Sequence, residues 1–358
     1  MHHIPRIQFI LKYRDNRFTC DPSYSHGHFS SGLLNSAKFV CTMLHEILGY
    51  ETRLNHAVDN NCIDRLVTEF KPDIVVIEAY WVVPEKFEIL TKLHPTITWV
   101  IRNHSPIPFA SMEGIIADWS LRYMDFPNVV LACNDVRADR EFRHLIGLYK
   151  PEWKDELFSR CVYLPNYYPI HFTPRPHLPK SDSVDIGCFG AIRPLKNQLI
   201  QAVAAVEYAA KIGKKLRFHI NATRIEGRGD AILNNIRKLF ALLPDAELIE
   251  HDWMTHDLFI ELVRTMDLGM QVSYSESFNI VAADMVVNGV PVVTSPEIHW
   301  VNCLFRADPN DSSSMVAALE RASFVNTELH FINPNINALH NYDNESIERW
   351  RTFITNIA

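Results

Sequence analysis

The run SYSESFNIVAADMVVNGVPVVTS (273–295) carries two carboxylates, Glu276 and Asp284, eight residues apart. On a helix that spacing is a rise of about 12 Å and two turns plus roughly 80°. Both groups can therefore border one ligand while standing too far apart to share a metal ion, and an elongated ligand suits them best. A helix is predicted to open here with Ser275 or Ser277 as its N-cap. The amides near Phe278, Asn279 and Ile280 then lie at the positive end of the helix dipole, a ready site for a phosphate. Asn288-Gly289 ends the helix and Val290-Pro291 starts the next strand. His26 and His28 suggest a metal pair, but no third ligand is identifiable, so they read as a polar loop. D-V-R-A-D (135–139) and S-D-S-V-D (181–185) have the wrong spacing for a D-x-D metal motif, and no bound metal is expected.

These residues need elements to hold them. Short β-branched or aromatic runs alternate with stretches of helical period, which predicts βα units and parallel sheets. The first half gives strands at 6–13, 51–57, 73–79, 96–103 and 128–134, with helices near 31–48, 59–70, 84–94, 110–124 and 135–147. All but one of these strands are apolar on both faces, as expected where helices cover a parallel sheet on both sides. Five prolines (Pro165, Pro169, Pro174, Pro176, Pro179) then stiffen residues 162–180 into an extended connection. The pattern restarts with strands at 184–190, 215–221, 246–252, 268–273 and 290–295, and helices at 195–212, 229–242, 255–266, 277–288 and 311–323. The expected organisation is a Rossmann-like domain over 1–165, a Pro-rich linker over 166–182 and a second Rossmann-like domain over 183–340. A closing amphipathic helix over 344–358 presents Ile347, Trp350, Phe353 and Ile354 on one face. Parallel sheets of this kind bind ligands at the C-terminal ends of their strands.

The 273–295 run resembles the signature of retaining glycosyltransferases of family 4, in which Glu, seven residues and Glu are followed by a Gly-Val-Pro-Val-Val strand. The resemblance covers most of the chain. It implies the GT-B fold, two Rossmann-like domains with parallel sheets facing a central cleft, and a nucleotide-sugar donor. In that family the first Glu sits at the donor sugar and the second at the nucleotide ribose, which carries over to Glu276 and Asp284. CFGAIRPLKNQ (188–198) is similar to the family segment whose Arg and Lys hold the donor pyrophosphate, here Arg193 and Lys196. Cations belong there because the leaving nucleoside diphosphate develops charge that fixed donors must meet. VIRNHSP (100–106) looks like the family's strand-end His, so His104 is expected near the reacting sugar. VVLACNDVRAD (129–139) and VYLPNYYPIHF (162–172) resemble the last strand of the first domain and its Pro-Asn exit. By the same resemblance the last helix crosses back onto the N-terminal domain.

The chain departs from the family pattern in several places. Asp284 replaces the second Glu, and Ser277-Phe278-Asn279 replaces Gly-Phe-Gly. A loop containing His26-Gly27-His28-Phe29-Ser30-Ser31-Gly32 replaces the glycine pair after the first strand. Gly32 still lets a backbone approach a ligand, and the lengthened loop 14–31 implies an acceptor site particular to this chain. Arg224 and Arg228 in NATRIEGRGD (221–230) are candidates for further phosphate contacts. Glu78, Tyr80 and Trp81 stand at another strand end, where Glu78 is expected on the acceptor side and Trp81 either lines the acceptor site or packs in the core or an interface.

With 358 residues, 47% hydrophobic and 22% charged, the chain has enough apolar material for a core in each of two domains. Disordered and fibrous classes are excluded. Seven cysteines are an odd number without a C-x-x-C pair, so neither a disulfide framework nor a zinc site is expected. No apolar run is long enough to span a bilayer and the start lacks a signal-peptide plan, so a soluble, cytoplasmic protein is expected. The formal charge of −7 divides as 18 − 20 = −2 over 1–165 and 17 − 22 = −5 over 166–358. Neither half has the charge of a DNA-binding domain, although Arg6, Lys12, Arg14 and Arg17 with nearby histidines keep hydroxymethylated DNA bases among the acceptors. The segment 31–48 offers only Lys38, which favours a soluble hydroxyl acceptor over a membrane lipid. Two other readings share the fold: a sugar-nucleotide-binding protein without transferase activity, and a sugar-nucleotide epimerase.

Overall fold

The structure, a computed structural model, describes residues 4–12, 32–172, 181–328 and 334–357. The His26–Ser31 loop, Arg14, Arg17 and the prolines at 174, 176 and 179 lie outside the described residues. The chain divides into two compact units, with the division between Pro169 and Ile170 and again between Asn341 and Tyr342.

The first unit alternates strand and helix: β1 (Arg6–Lys12), α1 (Gly32–Glu46), β2 (Glu51–Ala57), α2 (Cys62–Phe70), β3 (Ile74–Glu78), α3 (Pro84–Leu93), β4 (Thr98–Asn103), α4 (Ile107–Ala110), α5 (Ile116–Tyr123), β5 (Val129–Cys133), α6 (Val136–Tyr149), α7 (Asp155–Arg160) and β6 (Cys161–Tyr163). All six strands are parallel, in the order β2-β1-β3-β4-β5-β6. Alternate side chains of each strand point to opposite faces, and both faces are dry. Ile10, Val75, Ile77, Trp99, Ile101 and Leu131 build one core under α2, α3, α5 and α6. Phe9, Val76, Val100 and Val130 build the other with α1 and with Trp350, Phe353 and Ile354 of the last helix. The single helix predicted over 110–124 is two, because the chain turns through Gly114 between α4 and α5. The short strand β6 extends the expected five-stranded sheet by one, at the mouth of a proline-rich run that reads as a connection.

The second unit runs β7 (Ser183–Gly187), α8 (Gln198–Lys211), β8 (Lys215–Asn221), α9 (Gly229–Ala241), β9 (Ala246–His251), α10 (His256–Val263), β10 (Leu268–Gln271), α11 (Ile280–Val287), β11 (Val292–Thr294) and α12 (Ser312–Glu328). Its five strands are parallel in the order β11-β10-β7-β8-β9. Strand order reverses at β7, so the loops leaving β7 and β10 diverge and leave a crevice at their C-terminal ends. The last helix, α13 (Pro334–Ile357), begins ten residues before the predicted start at 344. Pro334 fits a first helical position, while the asparagine-rich stretch after it has weak helix propensity and hides the helix from a periodicity reading. Its early part is fixed by burial instead, since Asn335 and Leu339 are fully enclosed.

Candidate functional site

The β7 loop is built to present two cations. Gly190 has φ +117°, a conformation that favours glycine, and its N–H donates to Asn221 Oδ1 at 2.9 Å. Arg193 follows, then a 3-10 turn over Pro194–Lys196, then Asn197 at φ +58°. The Asn197 amide donates to the carbonyls of Val272 (3.1 Å) and Pro309 (2.8 Å). Tyr274 N–H donates to Leu195 O at 2.9 Å, and Val272 N–H to Gln201 Oε1 at 2.8 Å. The loops leaving β7 and β10 are thereby stitched together across the strand-order reversal. Lys196 Nζ meets the Glu276 carboxylate there, with side-chain exposures of 12% and 9%, and Ser273 Oγ donates to the same carboxylate at 3.2 Å. Arg193 lies beside Glu226 at 3.4 Å. Of the sequence-predicted residues, Lys196 and Glu276 are thus brought together, and Arg193 stands on the same loop against Glu226.

The helix after β10 begins differently from its predicted form. Neither Ser275 nor Ser277 is its N-cap. Asn279, at φ +59°, takes that place and its Oδ1 accepts from Ala282 N–H at 2.9 Å. Its amide also donates to Gln271 Oε1 at 2.9 Å, and asparagine tolerates the left-handed region that the turn requires. Phe278 is buried, with its carbonyl accepting from Trp300 Nε1 at 2.7 Å. Ser277 is half-buried beside it. The N–H groups at the start of α11, from Ile280 on, lack intrahelical acceptors by helix geometry. Asp284 is 1% exposed and bonded to His256 Nε2 at 2.8 Å, so that histidine covers its carboxylate. His256, Ser273, Asn197 and Glu226 were missed by sequence reasoning. His256, Asn197 and Glu226 are fixed by contacts between distant segments, and Ser273 by Glu276 three residues on.

In the first unit, His104 leaves the end of β4 and its Nε2 faces the Glu78 carboxylate at the end of β3. Asn134 Nδ2 lies 3.1 Å from His104 Nδ1. Burial and the nearby Arg102 charge keep the imidazole pKa below its ordinary value, against the opposing pull of Glu78. A neutral ring then satisfies both contacts in one tautomer, with Nε2–H donating to Glu78 and Nδ1 accepting from Asn134. Burial alone would raise the Glu78 carboxyl, but Arg102 and His104 hold it below the usual carboxylate range. Arg102, absent from the sequence-based candidates, is the hub. Fully buried, it donates to Glu78 at 3.1 and 3.3 Å, to the carbonyls of Leu164 (3.3 Å) and Pro165 (3.1 Å), and to Asn166 Oδ1 (2.5 Å). Its guanidinium also sits 5.5 Å from the Trp350 ring centre.

This geometry corrects the acceptor-side expectation for Glu78. Its side chain is 0% exposed and both oxygens are engaged by Arg102 and His104, so neither oxygen is open to an acceptor. Trp81 is partly buried against the first core, and its indole N–H has no hydrogen-bond partner among the described residues. Gly32 is half-buried as the first residue of α1. Arg224 donates to Glu226 rather than standing alone. Among the described residues, no group of three His, Cys, Asp or Glu is placed to hold a metal ion, and no helix is long and apolar enough to cross a membrane.

No protein-family model and no curated protein sequence matches the chain. Solved structures do match it. A trehalose-6-phosphate synthase, studied for glycosyl transfer with retention, superposes with a TM-score of 0.62 at 15% identity over 83% of this chain and 77% of that one. An alpha-glucosyltransferase in complex with UDP and a 13-mer DNA containing an HMU base gives 0.63 at 12% identity over 99% and 100%. The N-terminal domain of a Candida albicans trehalose-6-phosphate phosphatase gives 0.67 at 9% identity over 99% and 96%. At these identities the likeness is one of fold, and the fold is GT-B, with two parallel α/β units.

Proposed function

We propose that this chain is a retaining, family-4-like glycosyltransferase that moves a sugar from a nucleoside diphosphate donor to a hydroxyl acceptor. The observation that carries the reading is the meeting of Lys196 and Glu276 at the strand-order reversal of the second sheet, next to the N-terminal end of α11, with Arg193 three residues earlier on the same loop against Glu226. Two cations and a helix N-terminus suit the diphosphate, whose charge grows as the glycosidic bond breaks. In this reading Lys196 and Arg193 take the phosphate oxygens and the amides from Phe278 to Ile280 take a second set. Glu276, released from Lys196, binds hydroxyls of the donor sugar. Asp284, oriented by His256, accepts from the ribose. The acceptor attacks on the face the diphosphate leaves, and a phosphate oxygen takes its proton, so the step needs no resident metal.

The first unit holds the acceptor in this reading. His104, fixed in one tautomer by Glu78 and Asn134, is its acceptor-side polar group, and Trp81 and the backbone at Gly32 line the acceptor side. A glycan or small-molecule hydroxyl in the cytoplasm is the favoured acceptor. A hydroxymethylated DNA base is the second, supported by the structural likeness to a glucosyltransferase bound to DNA. A panel of UDP-, GDP- and ADP-sugars scored by thermal shift identifies the donor, because specific binding stabilises the folded state. Transfer of labelled sugar is then measured with saccharide and with hydroxymethylated DNA acceptors. Lys196→Ala and Glu276→Ala are expected to abolish nearly all transfer. Near-normal turnover in either variant contradicts the reading, and donor binding without turnover by wild type favours a binding protein.

A further inference from the structure

Arg193 does not face the solvent alone. The Glu226 carboxylate stands between it and a second arginine: Oε2 lies 3.4 Å from Arg193, and Oε1 accepts from Arg224 at 2.7 Å. The backbone fixes this arrangement. Ile192 N–H donates to Arg224 O and Glu226 N–H to Ile192 O, both at 2.9 Å. Gly229 lets the two loops close together, since a Cβ there would stand 2.1 Å from Ile192 O. Arg224 is anchored on its other side by the Trp253 ring, 4.6 Å away. The three side chains of this ion cluster are 24%, 33% and 35% exposed for Arg193, Glu226 and Arg224. Ion pairs at that exposure are weak enough to exchange partners.

Both cations proposed for the diphosphate are therefore held by carboxylates, Lys196 by Glu276 and Arg193 by Glu226. Glu276 has a further partner waiting in the donor sugar, whereas Glu226 has none. Arg224 gives it somewhere to go. When a diphosphate claims Arg193, the carboxylate keeps its bonds to Arg224 and gives up only the longer one. When the diphosphate leaves, the same carboxylate is in place to take Arg193 back.

We infer that Glu226 is a positioning residue of the donor site, which competes with the diphosphate for Arg193 and is restrained in that competition by Arg224. The inference rests on the donor reading above. Its test is calorimetric titration of wild type, Glu226→Gln, Arg224→Ala and the double variant with UDP, GDP, ADP and inorganic pyrophosphate at one ionic strength. An exposed ion pair is worth up to roughly fivefold in an equilibrium constant. Glu226→Gln is therefore expected to bind the preferred diphosphate about fivefold more tightly, with a lower donor KM and no gain in kcat. Arg224→Ala frees Glu226 to hold Arg193 and is expected to weaken binding about threefold. Adding Glu226→Gln to Arg224→Ala restores the tight value. Structural damage would weaken binding, so tightening is the distinguishing result. Unchanged or weaker binding by Glu226→Gln, with wild type binding normally, overturns the inference and leaves the donor reading intact. A loss in Arg224→Ala that persists in the double variant also overturns it, by making Arg224 a direct phosphate ligand. Wild type that binds none of the four ligands overturns the donor reading, and the inference falls with it.

Discussion

Replacing Glu78 by glutamine keeps its volume and removes one charge from a place water does not reach. Both side chains of the Glu78–Arg102 pair are 0% exposed. The acceptors left to Arg102, the carbonyls of Leu164 and Pro165 and Asn166 Oδ1, are all neutral. Breaking such a pair from one side costs about 3–5 kcal/mol, a large part of the 5–15 kcal/mol by which a domain is typically stable, as an order of magnitude. The substitution also changes the response to acid. In wild type, Arg102 and His104 outweigh burial and hold Glu78 below its ordinary 4.5. The unfolded chain then binds the proton first as pH falls, and stability drops below pH 4.5. His104 is likewise held below its ordinary 6.5, so stability already declines below that pH, where the unfolded chain gains a proton the folded one refuses. Glu78→Gln is expected to remove the lower step and keep the upper one, because burial and Arg102 still oppose charging the imidazole. Urea unfolding at pH 7.5, 5.5 and 4.0 measures both effects, with the buried Trp99 and Trp350 as fluorescence probes of this unit. A loss under about 1 kcal/mol at pH 7.5, or the same slope below pH 4.5 in both proteins, refutes the reasoning.

Three further outcomes are expected. Trp350→Ala should cost about 3–5 kcal/mol, while Trp350→Phe should cost about 1–2 kcal/mol by losing only the 3.0 Å indole bond to Pro165 O; chemical denaturation ranks the two. Burial raises Asp343 to about 8, against the 3.0 Å bond from Tyr168 N–H. The folded state therefore holds a proton that the unfolded state releases, and stability falls as pH rises from 3.8 toward 8. Asp343→Asn should stabilise the protein more at pH 8.5 than at pH 5, by at least about 1 kcal/mol, read as a difference in unfolding midpoints. Gly229→Ala should force the 222–229 loop off Ile192, costing about 1–3 kcal/mol and lowering transfer because Arg193 is carried by the neighbouring residues.

The strands were legible because burial on both faces leaves an apolar signature that depends on nothing distant. That Lys196 and Glu276 come together was legible for a related reason, since each lies in a short run whose order along the chain is distinctive. Arg102 was not. Its meaning comes from parallel register, which sets Glu78 of β3 directly against Arg102 of β4, and from a linker carbonyl more than sixty residues away. The Asp284–His256 bond and the Glu226 cluster are likewise products of loops meeting in space. The start of α11 was misread locally. Asparagine caps a helix as readily as serine, and Asn279 both caps α11 and accepts the left-handed backbone. The early start of α13 was missed because asparagines carry little helical signal of their own.

The central claim is that the second unit binds a sugar nucleotide through Lys196 and Arg193 and cleaves it. The direct measurement is release of UDP, GDP or ADP from a panel of sugar nucleotides by wild type and by Lys196→Ala, with and without saccharide acceptors. The account predicts release from one class of donor, with a loss of about 100-fold or more in the variant, the scale set by removing one donor to a developing charge. Release from no donor by wild type, or a Lys196→Ala rate within a few-fold of wild type, contradicts it.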